Sequence, residues 1–351
     1  MIREIADCTP QSLAGFDQII DVRSPAEFAE DHVPGAVNMP VLTDAQRTEV
    51  GTIYVQDSKF RARRVGAAFV SRNIADHLAG PLSEREGAFS PLIYCWRGGQ
   101  RSAAMAAVLS QVGWRVGLLS GGYRTYRRGV VAALYDSQAP LRVVILGGPT
   151  GAGKTQMLAL LAERGVQTLD LEALAAHRGS LFGDVAGTAQ PGQKAFESAL
   201  AAALAGIDPA RPVVVEAESS RIGELRLPPR LWRAMQTAPV IELDVPVAVR
   251  ARRTAADYAD MRAHPQGVLD LIARLPRHHG REDRVRWAAM VTEDDAEGLA
   301  SALIEAHYDP AYARSSAAHD RPVAGRVRVE ADSPAALAQA ADAVVGLLAS
   351  C

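Results

Sequence analysis

The chain has 351 residues, a length that predicts two domains rather than one large core. Its 48% hydrophobic and 22% charged residues are typical of a globular protein and exclude a disordered or fibrous chain. The net charge of -2 excludes a global attraction to nucleic acid or to an anionic membrane, so any site for a polyanion has to be local. The first residues are charged and no uninterrupted apolar run reaches about 18 residues, so we expect a cytoplasmic protein without a signal peptide or membrane span.

Short apolar runs alternate with helix-like segments along the whole chain. The apolar runs are residues 17–22, 92–95, 143–146, 213–215 and 240–243. This alternation predicts an α/β protein with mainly parallel strands. A polar segment at residues 136–140 separates two such arrangements, so we expect one domain over residues 1–135 and another over residues 140–351, the second ending in a strand and a helix capped by Ser333.

Cys95 stands directly after an apolar run and before a loop that leads into a helix-like segment. The loop residues are Trp96, Arg97, Gly98, Gly99, Gln100 and Arg101. A loop of this kind directs backbone N–H groups at the sulfur, and the following helix adds partial positive charge, so both favour a thiolate. Residues 91–130 contain six arginines and no acidic residue. These surroundings favour a reactive cysteine over a small buried apolar residue, whereas Cys8 and Cys351 are predicted to be incidental thiols.

The cysteine loop, with segments 19–28 and 32–40 before it and segment 118–123 after it, resembles the rhodanese family. The resemblance covers most of residues 12–135 and implies a rhodanese-like parallel-sheet domain. It also implies that Cys95 is the catalytic carrier of a sulfur or selenium atom, which the six residues of the loop cradle. The polar residues of the upstream segments are interpreted as groups that hold loops together. These residues are Asp21, Arg23, Glu27 and His32.

Residues 148–155 follow a second apolar run, precede a helix-like segment and match the pattern G-x-x-x-x-G-K-[ST] of a phosphate-binding loop. The predicted phosphate-binding residues are Gly148, Gly151, Ala152, Gly153, Lys154 and Thr155. Glycines let the backbone surround phosphate oxygens, Lys154 neutralises their charge, and the Thr155 hydroxyl can hold Mg²⁺. The pattern predicts a P-loop NTPase-like domain, but it does not specify what the phosphates are attached to.

Acidic residues at the ends of two further apolar runs are candidates for a metal-binding or acid-base role. Glu216 ranks first, Asp170 is the second candidate, and Glu172 and Glu218 lie close to them in the sequence. Solvated carboxylates at strand ends are an equally weighted alternative. The pair His278-His279 has no further ligands at metal spacing and is predicted to lie on the surface.

Three further segments, residues 170–183, 216–223 and 308–312, resemble the bacterial tRNA 2-selenouridine synthase family, in which a rhodanese domain precedes a P-loop domain. The resemblance implies that selenium replaces the sulfur of wobble 2-thiouridine in tRNA. It implies selenophosphate and geranyl diphosphate as donor substrates, an S-geranyl-2-thiouridine intermediate and no membrane association. The implied partners are a tRNA that carries wobble 2-thiouridine and an enzyme that supplies selenophosphate. The phosphate loop then binds geranyl diphosphate or a nucleotide, with Mg²⁺ at Thr155 as a candidate.

Arginines on both sides of the expected domain boundary are candidates for contacts with tRNA phosphates. They are Arg124, Arg127 and Arg128 before the boundary and Arg250, Arg252 and Arg253 beyond it. Residues 221–286 contain 13 arginines against 8 acidic residues, which favours a local basic surface. Ion pairs inside the protein are the alternative explanation for these arginines.

Two other functions remain open at this point. The first is a rhodanese-type sulfurtransferase with a regulatory NTPase domain, which would use neither selenophosphate nor thiolated tRNA. The second is a small-molecule kinase whose rhodanese half serves only for interaction. The intact loop after Cys95 argues against the second alternative, since a module used only for interaction does not need the cysteine.

Overall fold

A computed structural model of the chain describes residues 2–179, 188–259, 264–275, 279–317 and 321–349. The described residues form two compact units. The first unit ends at Ser137 and also contains Gly192–Ala202, and the second contains the other described residues from Gln138 onwards. The chain therefore passes between units within the polar segment at residues 136–140, and a segment from the second half of the sequence returns to the first unit.

The first unit is a parallel sheet of five strands surrounded by helices. Its strands are β1 (Ile2–Ile5), β2 (Gln18–Asp21), β3 (Ala36–Asn38), β4 (Pro91–Tyr94) and β5 (Val116–Leu119), and its helices are α1 (Pro10–Leu13), α2 (Pro25–Glu30), α3 (Asp44–Gln56), α4 (Lys59–Ala79), α5 (Gln100–Val112) and α6 (Tyr123–Val131), which continues as a π-turn over Ala132–Asp136. The strand order is β1-β5-β4-β2-β3, so β4 lies in the centre. All four β4 side chains are buried, as expected for a strand covered on both faces.

The second unit has the same plan, with a five-stranded parallel sheet. The strands of this half of the chain are β6 (Val143–Gly147), β7 (Gln167–Leu169), β8 (Val213–Glu216), β9 (Arg221–Ile222), β10 (Leu225–Arg226), β11 (Val240–Asp244) and β12 (Val323–Arg328). The helices of this half of the chain are α7 (Lys154–Glu163), α8 (Leu171–Ala175), α9 (Gln193–Ala205), α10 (Pro229–Thr237), α11 (Val247–Asp257), α12 (Pro265–Arg274), α13 (Arg281–Thr292), α14 (Ala296–Leu303), α15 (Asp309–Ala317) and α16 (Pro334–Leu348), with a π-helical turn over Ile304–Tyr308 between α14 and α15. Most of α9 belongs to the first unit. The sheet order is β12-β11-β6-β8-β7, and β9 and β10 form a separate antiparallel pair.

Strand β6, which precedes the phosphate loop, is the central strand of the second sheet, and all five of its residues are buried. The predicted class, two α/β domains on parallel sheets, is therefore confirmed. The C-terminal strand and helix are also present, and the Ser333 side chain caps α16 by accepting a hydrogen bond from the Ala336 N–H at 3.3 Å.

Helices α12, α13 and α14 form an apolar cluster of their own around the fully buried Trp287. Ile272, Leu275 and Leu303 complete the buried part of this cluster. Across the parts of the chain that the structure describes, the helices are too short or too polar to span a bilayer.

Candidate functional site

Cys95 lies at the carboxyl end of the central strand β4, where the chain turns into α5. Its sulfur accepts hydrogen bonds from the Gly99 N–H at 3.2 Å and from the Ser102 hydroxyl at 3.1 Å. Ser102 is fully buried and Cys95 is 3% exposed. Two donors therefore converge on the sulfur, and hydrogen bonds of this kind stabilise negative charge on it.

The segment after β5 braces the cysteine loop through backbone contacts. The Tyr123 N–H donates to the Cys95 carbonyl at 2.8 Å, and the Arg124 N–H donates to the Trp96 carbonyl at 3.2 Å. Gly122 has a φ of 59°, and a Cβ at this position would collide with the Cys95 carbonyl oxygen. Glycine is required here both for the left-handed backbone and for the close approach of the two loops.

The structure separates the six predicted cradle residues into different roles. The Gly99 N–H contacts the sulfur, while the Trp96 ring stacks on Tyr123 with centroids 5.2 Å apart. Arg101 forms an ion pair with Glu27 at 2.7 Å. Burial acts to raise the pKa of Glu27, but Arg101 outweighs it and holds this pKa below its usual value. Gly98 is half-buried, and Arg97 and Gln100 are exposed.

The polar residues of the upstream rhodanese-like segments lie in buried contacts that fix loops. Asp21 and Arg23 form an ion pair at 2.6 Å and are almost completely buried. Arg23 also donates to the Asp31 carbonyl at 2.6 Å, and its guanidinium lies 4.2 Å from the centre of the Tyr123 ring. The contacts of Asp21 and Arg23 agree with a structural role for these two residues.

The phosphate loop connects the central strand β6 to α7. Gly148, Gly151 and Gly153 have φ values of 150°, 76° and 79°. The Lys154 ammonium crosses the loop and donates to the Gly148 carbonyl at 3.0 Å. Helix α7 begins at Lys154, and its N-cap is Gly153, which has no side chain to occupy the first amide groups. These amide groups and Lys154 lie together beside a cavity of about 960 Å³, an arrangement that suits an anion.

Two buried arginines hold the phosphate loop in position. Arg250 donates to the Thr150 carbonyl at 3.2 Å and pairs with Asp309 at 2.7 Å. Arg253 donates to the Gly151 carbonyl at 3.2 Å and pairs with Asp332 at 2.5 Å. Both arginines are at most 5% exposed. Their carboxylate partners lie far along the sequence, so no local pattern reveals this support.

The structure corrects the predicted role of three of the six arginines that were candidates for tRNA contacts. Arg250 and Arg253 are buried and paired as described, and Arg127 is largely buried in an ion pair with Glu197 within the first unit. For all three, the alternative of an internal ion pair is what the structure shows. Arg124, Arg128 and Arg252 are exposed.

Three glutamates come together at the ends of β7 and β8, close to Lys154 and Thr155. Glu216 is 1% exposed; its Oε1 accepts from the Glu172 N–H at 2.8 Å, and its Oε2 has no hydrogen-bond partner among the described residues. Burial, with a contribution from Asp170, raises the pKa of Glu216 to about 8. Burial and the neighbouring Glu172 raise the pKa of Glu218 to about 8, and burial also raises that of Glu172.

The candidate metal site is confined to Thr155 and its immediate neighbours. The Thr155 hydroxyl donates to Glu172 Oε2 at 3.3 Å, whereas Asp170 caps α8 by accepting from the Ala173 N–H at 2.7 Å. Among the described residues, no group of three or more His, Cys, Asp and Glu side chains could hold a metal ion. Thr155 and Glu172 nevertheless fit Mg²⁺, which is usually held by one or two protein ligands together with water and substrate phosphates.

Sequence reasoning missed Tyr312, which links the phosphate loop to the sheet. Its hydroxyl accepts from the Gly148 N–H at 2.8 Å and donates to Glu242 at 2.9 Å. The one available signal was its place in the family-like segment 308–312. The prediction of a surface position for His279 is wrong, because this residue is 6% exposed and contacts His307 at 2.9 Å. His278, Cys351 and residues 180–183 of a family-like segment lie outside the described residues.

Comparisons with known proteins match both halves of the chain. A family model described as "Rhodanese-like domain" matches residues 7–128, and one described as "tRNA 2-selenouridine synthase AAA domain" matches residues 141–269. Three similar proteins, all described as "tRNA 2-selenouridine synthase", come from Pseudomonas syringae pv. tomato, Bordetella bronchiseptica and Psychromonas ingrahamii.

The Pseudomonas protein is 32% identical over 84% of this chain and 87% of its own length. The Bordetella protein is 37% identical over 77% of this chain and 70% of its own length. The Psychromonas protein is 34% identical over 69% of this chain and 65% of its own length. The chain thus spans just under two thirds of the Psychromonas relative and most of the Pseudomonas relative.

The raised pKa of Glu216 makes the stability of the second unit depend on pH. The folded state keeps a proton up to about pH 8, whereas an unfolded glutamate loses it near about pH 4.3. The stability that the proton on Glu216 contributes is complete below the pKa of the unfolded state. It is lost as the pH rises through the pKa of the folded state. We expect the stability of the variant Glu216→Gln, relative to the wild type, to rise between about pH 5 and about pH 8.5.

Urea unfolding of the full chain at several pH values measures this difference. The exposed Glu163, changed to Gln, is the matched control for the loss of a carboxylate from the same unit. A difference for Glu216→Gln that is independent of pH would contradict the expectation.

Proposed function

The chain belongs to the tRNA 2-selenouridine synthase family, and from this membership we propose that it replaces the sulfur of wobble 2-thiouridine in tRNA with selenium. The reaction has two stages, S-geranylation with geranyl diphosphate and selenation with selenophosphate. The observation that supports this most is that one chain carries a cysteine loop and a phosphate loop, each after the central strand of its own parallel sheet. Because the substrate is a tRNA, we propose a cytoplasmic location.

In the first stage, the sulfur of 2-thiouridine attacks the first carbon of geranyl diphosphate. A carbon–sulfur bond forms, the carbon–oxygen bond to the diphosphate breaks, and the base loses its N3 proton. The residues of the phosphate loop bind the departing diphosphate, whose growing negative charge the Lys154 ammonium and the amide groups at the start of α7 stabilise. Mg²⁺ held near Thr155 and Glu172 would supply further positive charge at the phosphates.

In the second stage, the geranyl group lets the sulfur depart as geranyl thiol, which is a better leaving group than the sulfur of a thiocarbonyl. Selenium enters and remains at the oxidation level of selenide, and water cleaves its bond to phosphorus to give phosphate. A Cys–S–Se linkage would hold selenium two electrons more oxidised, and no oxidant is supplied. In place of the carrier role that the family resemblance implies, we therefore assign the Cys95 thiolate to addition at C2 of the base. There it expels geranyl thiol before selenophosphate displaces it.

The surroundings of Cys95 fit a nucleophile that is released again. The Gly99 N–H and the Ser102 hydroxyl stabilise the thiolate both before the addition and when it leaves C2. An enzyme that makes selenophosphate must supply the donor. A rhodanese-type sulfurtransferase with a regulatory NTPase domain is the alternative, and it predicts that purified protein leaves 2-thiouridine tRNA unchanged when both donors are present.

We expect the variant Cys95→Ser to make S-geranyl-2-thiouridine normally and to form no 2-selenouridine, because the hydroxyl is a far weaker nucleophile than the thiolate. Mass spectrometry of nucleosides from treated 2-thiouridine tRNA measures both products. Cys8→Ser is the matched control, since Cys8 is a free cysteine in the same unit. Wild-type levels of 2-selenouridine from the Cys95→Ser protein would remove Cys95 from the mechanism.

We expect the variant Lys154→Ala to lose at least about a hundredfold in geranyl transfer, since its ammonium neutralises the leaving diphosphate. When tRNA that already carries S-geranyl-2-thiouridine is supplied, the same variant should form 2-selenouridine at the wild-type rate. The control is Lys59→Ala, which removes an exposed lysine of the first unit. Normal geranyl transfer by Lys154→Ala would show that the loop serves another ligand.

The exposed arginines remain candidates for tRNA contacts. We expect Arg124→Ala combined with Arg128→Ala to weaken tRNA binding and to lower the dependence of the binding constant on salt by about one unit of slope for each lost phosphate contact. Arg127→Ala, in the same helix α6, is the matched contrast, because its loss leaves the buried Glu197 without its ion-pair partner and should lower thermal stability instead. Titrations at several salt concentrations measure this, and an unchanged slope in the double variant would exclude tRNA contacts at Arg124 and Arg128.

A further inference from the structure

A second, apolar cavity adjoins the cavity of the phosphate loop. It has a volume of about 110 Å³, and its apolar walls are formed by Val268, Met290, Val291, Leu299 and Leu303, with Tyr258. We propose that this cavity, which we call the prenyl chamber, binds the distal isoprene unit of the prenyl diphosphate and sets the chain length that the enzyme accepts. The proposal rests on the proposed function, because it assigns a subsite to the same donor substrate.

The position of the chamber fits a chain that starts at the phosphate loop. Thr150, Thr254, Tyr258 and Tyr308 line both the chamber and the larger cavity of the phosphate loop. Thr150 is itself a residue of the loop, between Gly148 and Gly151. A ligand whose diphosphate contacts Lys154 can therefore extend past these shared residues into the chamber.

The chamber is a gap in the apolar cluster of α12, α13 and α14. Val268 comes from α12, Met290 and Val291 come from α13, and Leu299 comes from α14, and these four side chains remain partly exposed next to the buried Trp287 core. Apolar side chains that face a void lose dispersion contacts, so an apolar ligand that fills the void gains them. The chamber therefore favours a hydrocarbon group.

The size and lining of the chamber distinguish an isoprene unit from a nucleotide base. An apolar cavity of about 150 Å³ in another protein binds benzene, so a cavity of about 110 Å³ suits a group of about five carbons. Apart from the tyrosine hydroxyls, its polar side chains are Thr150, Thr254 and Asp294. A purine would bring several donors and acceptors into a lining that is mostly apolar, whereas an isoprene unit brings none.

Filling the chamber and enlarging it should change the accepted chain length in opposite directions. Val291→Phe reduces the volume, and Val285→Phe places the same change on the exposed face of the same helix as the matched control. Leu299→Ala enlarges the chamber. The donors are dimethylallyl, geranyl and farnesyl diphosphate, with five, ten and fifteen carbons, and the readouts are KM and kcat for each and the inhibition constant of inorganic diphosphate.

We expect Val291→Phe to raise KM for geranyl diphosphate by at least about tenfold, because each buried methylene contributes about fourfold to binding. KM for dimethylallyl diphosphate and inhibition by inorganic diphosphate should stay within about twofold of wild type, since the phosphate loop is untouched. Leu299→Ala should improve kcat/KM for farnesyl diphosphate relative to geranyl diphosphate by about tenfold. If Val291→Phe fails to fold, the Leu299→Ala variant still tests the proposal. Val285→Phe should behave as wild type.

Two outcomes separate the failure of this proposal from failure of the proposed function. If the wild type transfers geranyl but the chamber variants keep its chain-length preference, the prenyl-chamber proposal is refuted and the proposed function stands. If the wild type transfers no prenyl group, the function fails, and direct binding decides on the chamber. If geranyl diphosphate then binds no more tightly than inorganic diphosphate, the prenyl-chamber proposal is refuted. If it binds more tightly and Val291→Phe abolishes the difference, the proposal is supported.

Discussion

Both candidate loops depend on one constraint, which is that backbone N–H groups are presented at the end of a buried central strand. Strands β4 and β6 occupy the third position of their five-stranded sheets, and every residue of both is buried. Each strand ends in a glycine-containing turn that runs into the first turn of a helix, where amide groups have no partner within the helix. In the first unit the N–H of Gly99, the N-cap of α5, contacts the sulfur, and in the second the first amide groups of α7 face the candidate phosphate site.

Buried arginines hold the cysteine loop and the phosphate loop in position. Arg23 lies against Tyr123, whose N–H braces the Cys95 carbonyl, while Arg250 and Arg253 donate to carbonyls of the phosphate loop. Removing one partner from a buried ion pair of this kind typically costs about 3–5 kcal/mol, because the remaining charge stays buried without compensation. Many arginines of this chain therefore serve its internal structure, which explains why arginine density along the sequence did not identify an exposed basic surface.

The sequence was sufficient to predict the parts of the fold that depend on local patterns. Apolar runs and loop motifs predicted two α/β units, the positions of Cys95 and Lys154, and a boundary near residues 136–140. It could not predict the return of Gly192–Ala202 to the first unit, the pairing of Arg253 with Asp332 or the link from Tyr312 to Gly148, because these contacts join distant residues. The burial of His279 was missed for the same reason, since it depends on packing among α13 and its neighbours.

The central claim is that the two loops act in sequence on one base and that the geranylated tRNA is the intermediate between them. A mixture of the Cys95→Ser and Lys154→Ala proteins tests this directly, because each retains the stage that the other lacks. The measured quantity is 2-selenouridine in tRNA after incubation with both donors. The account predicts that the mixture forms 2-selenouridine while neither protein does so alone. A mixture that accumulates S-geranyl-2-thiouridine without forming 2-selenouridine would contradict it.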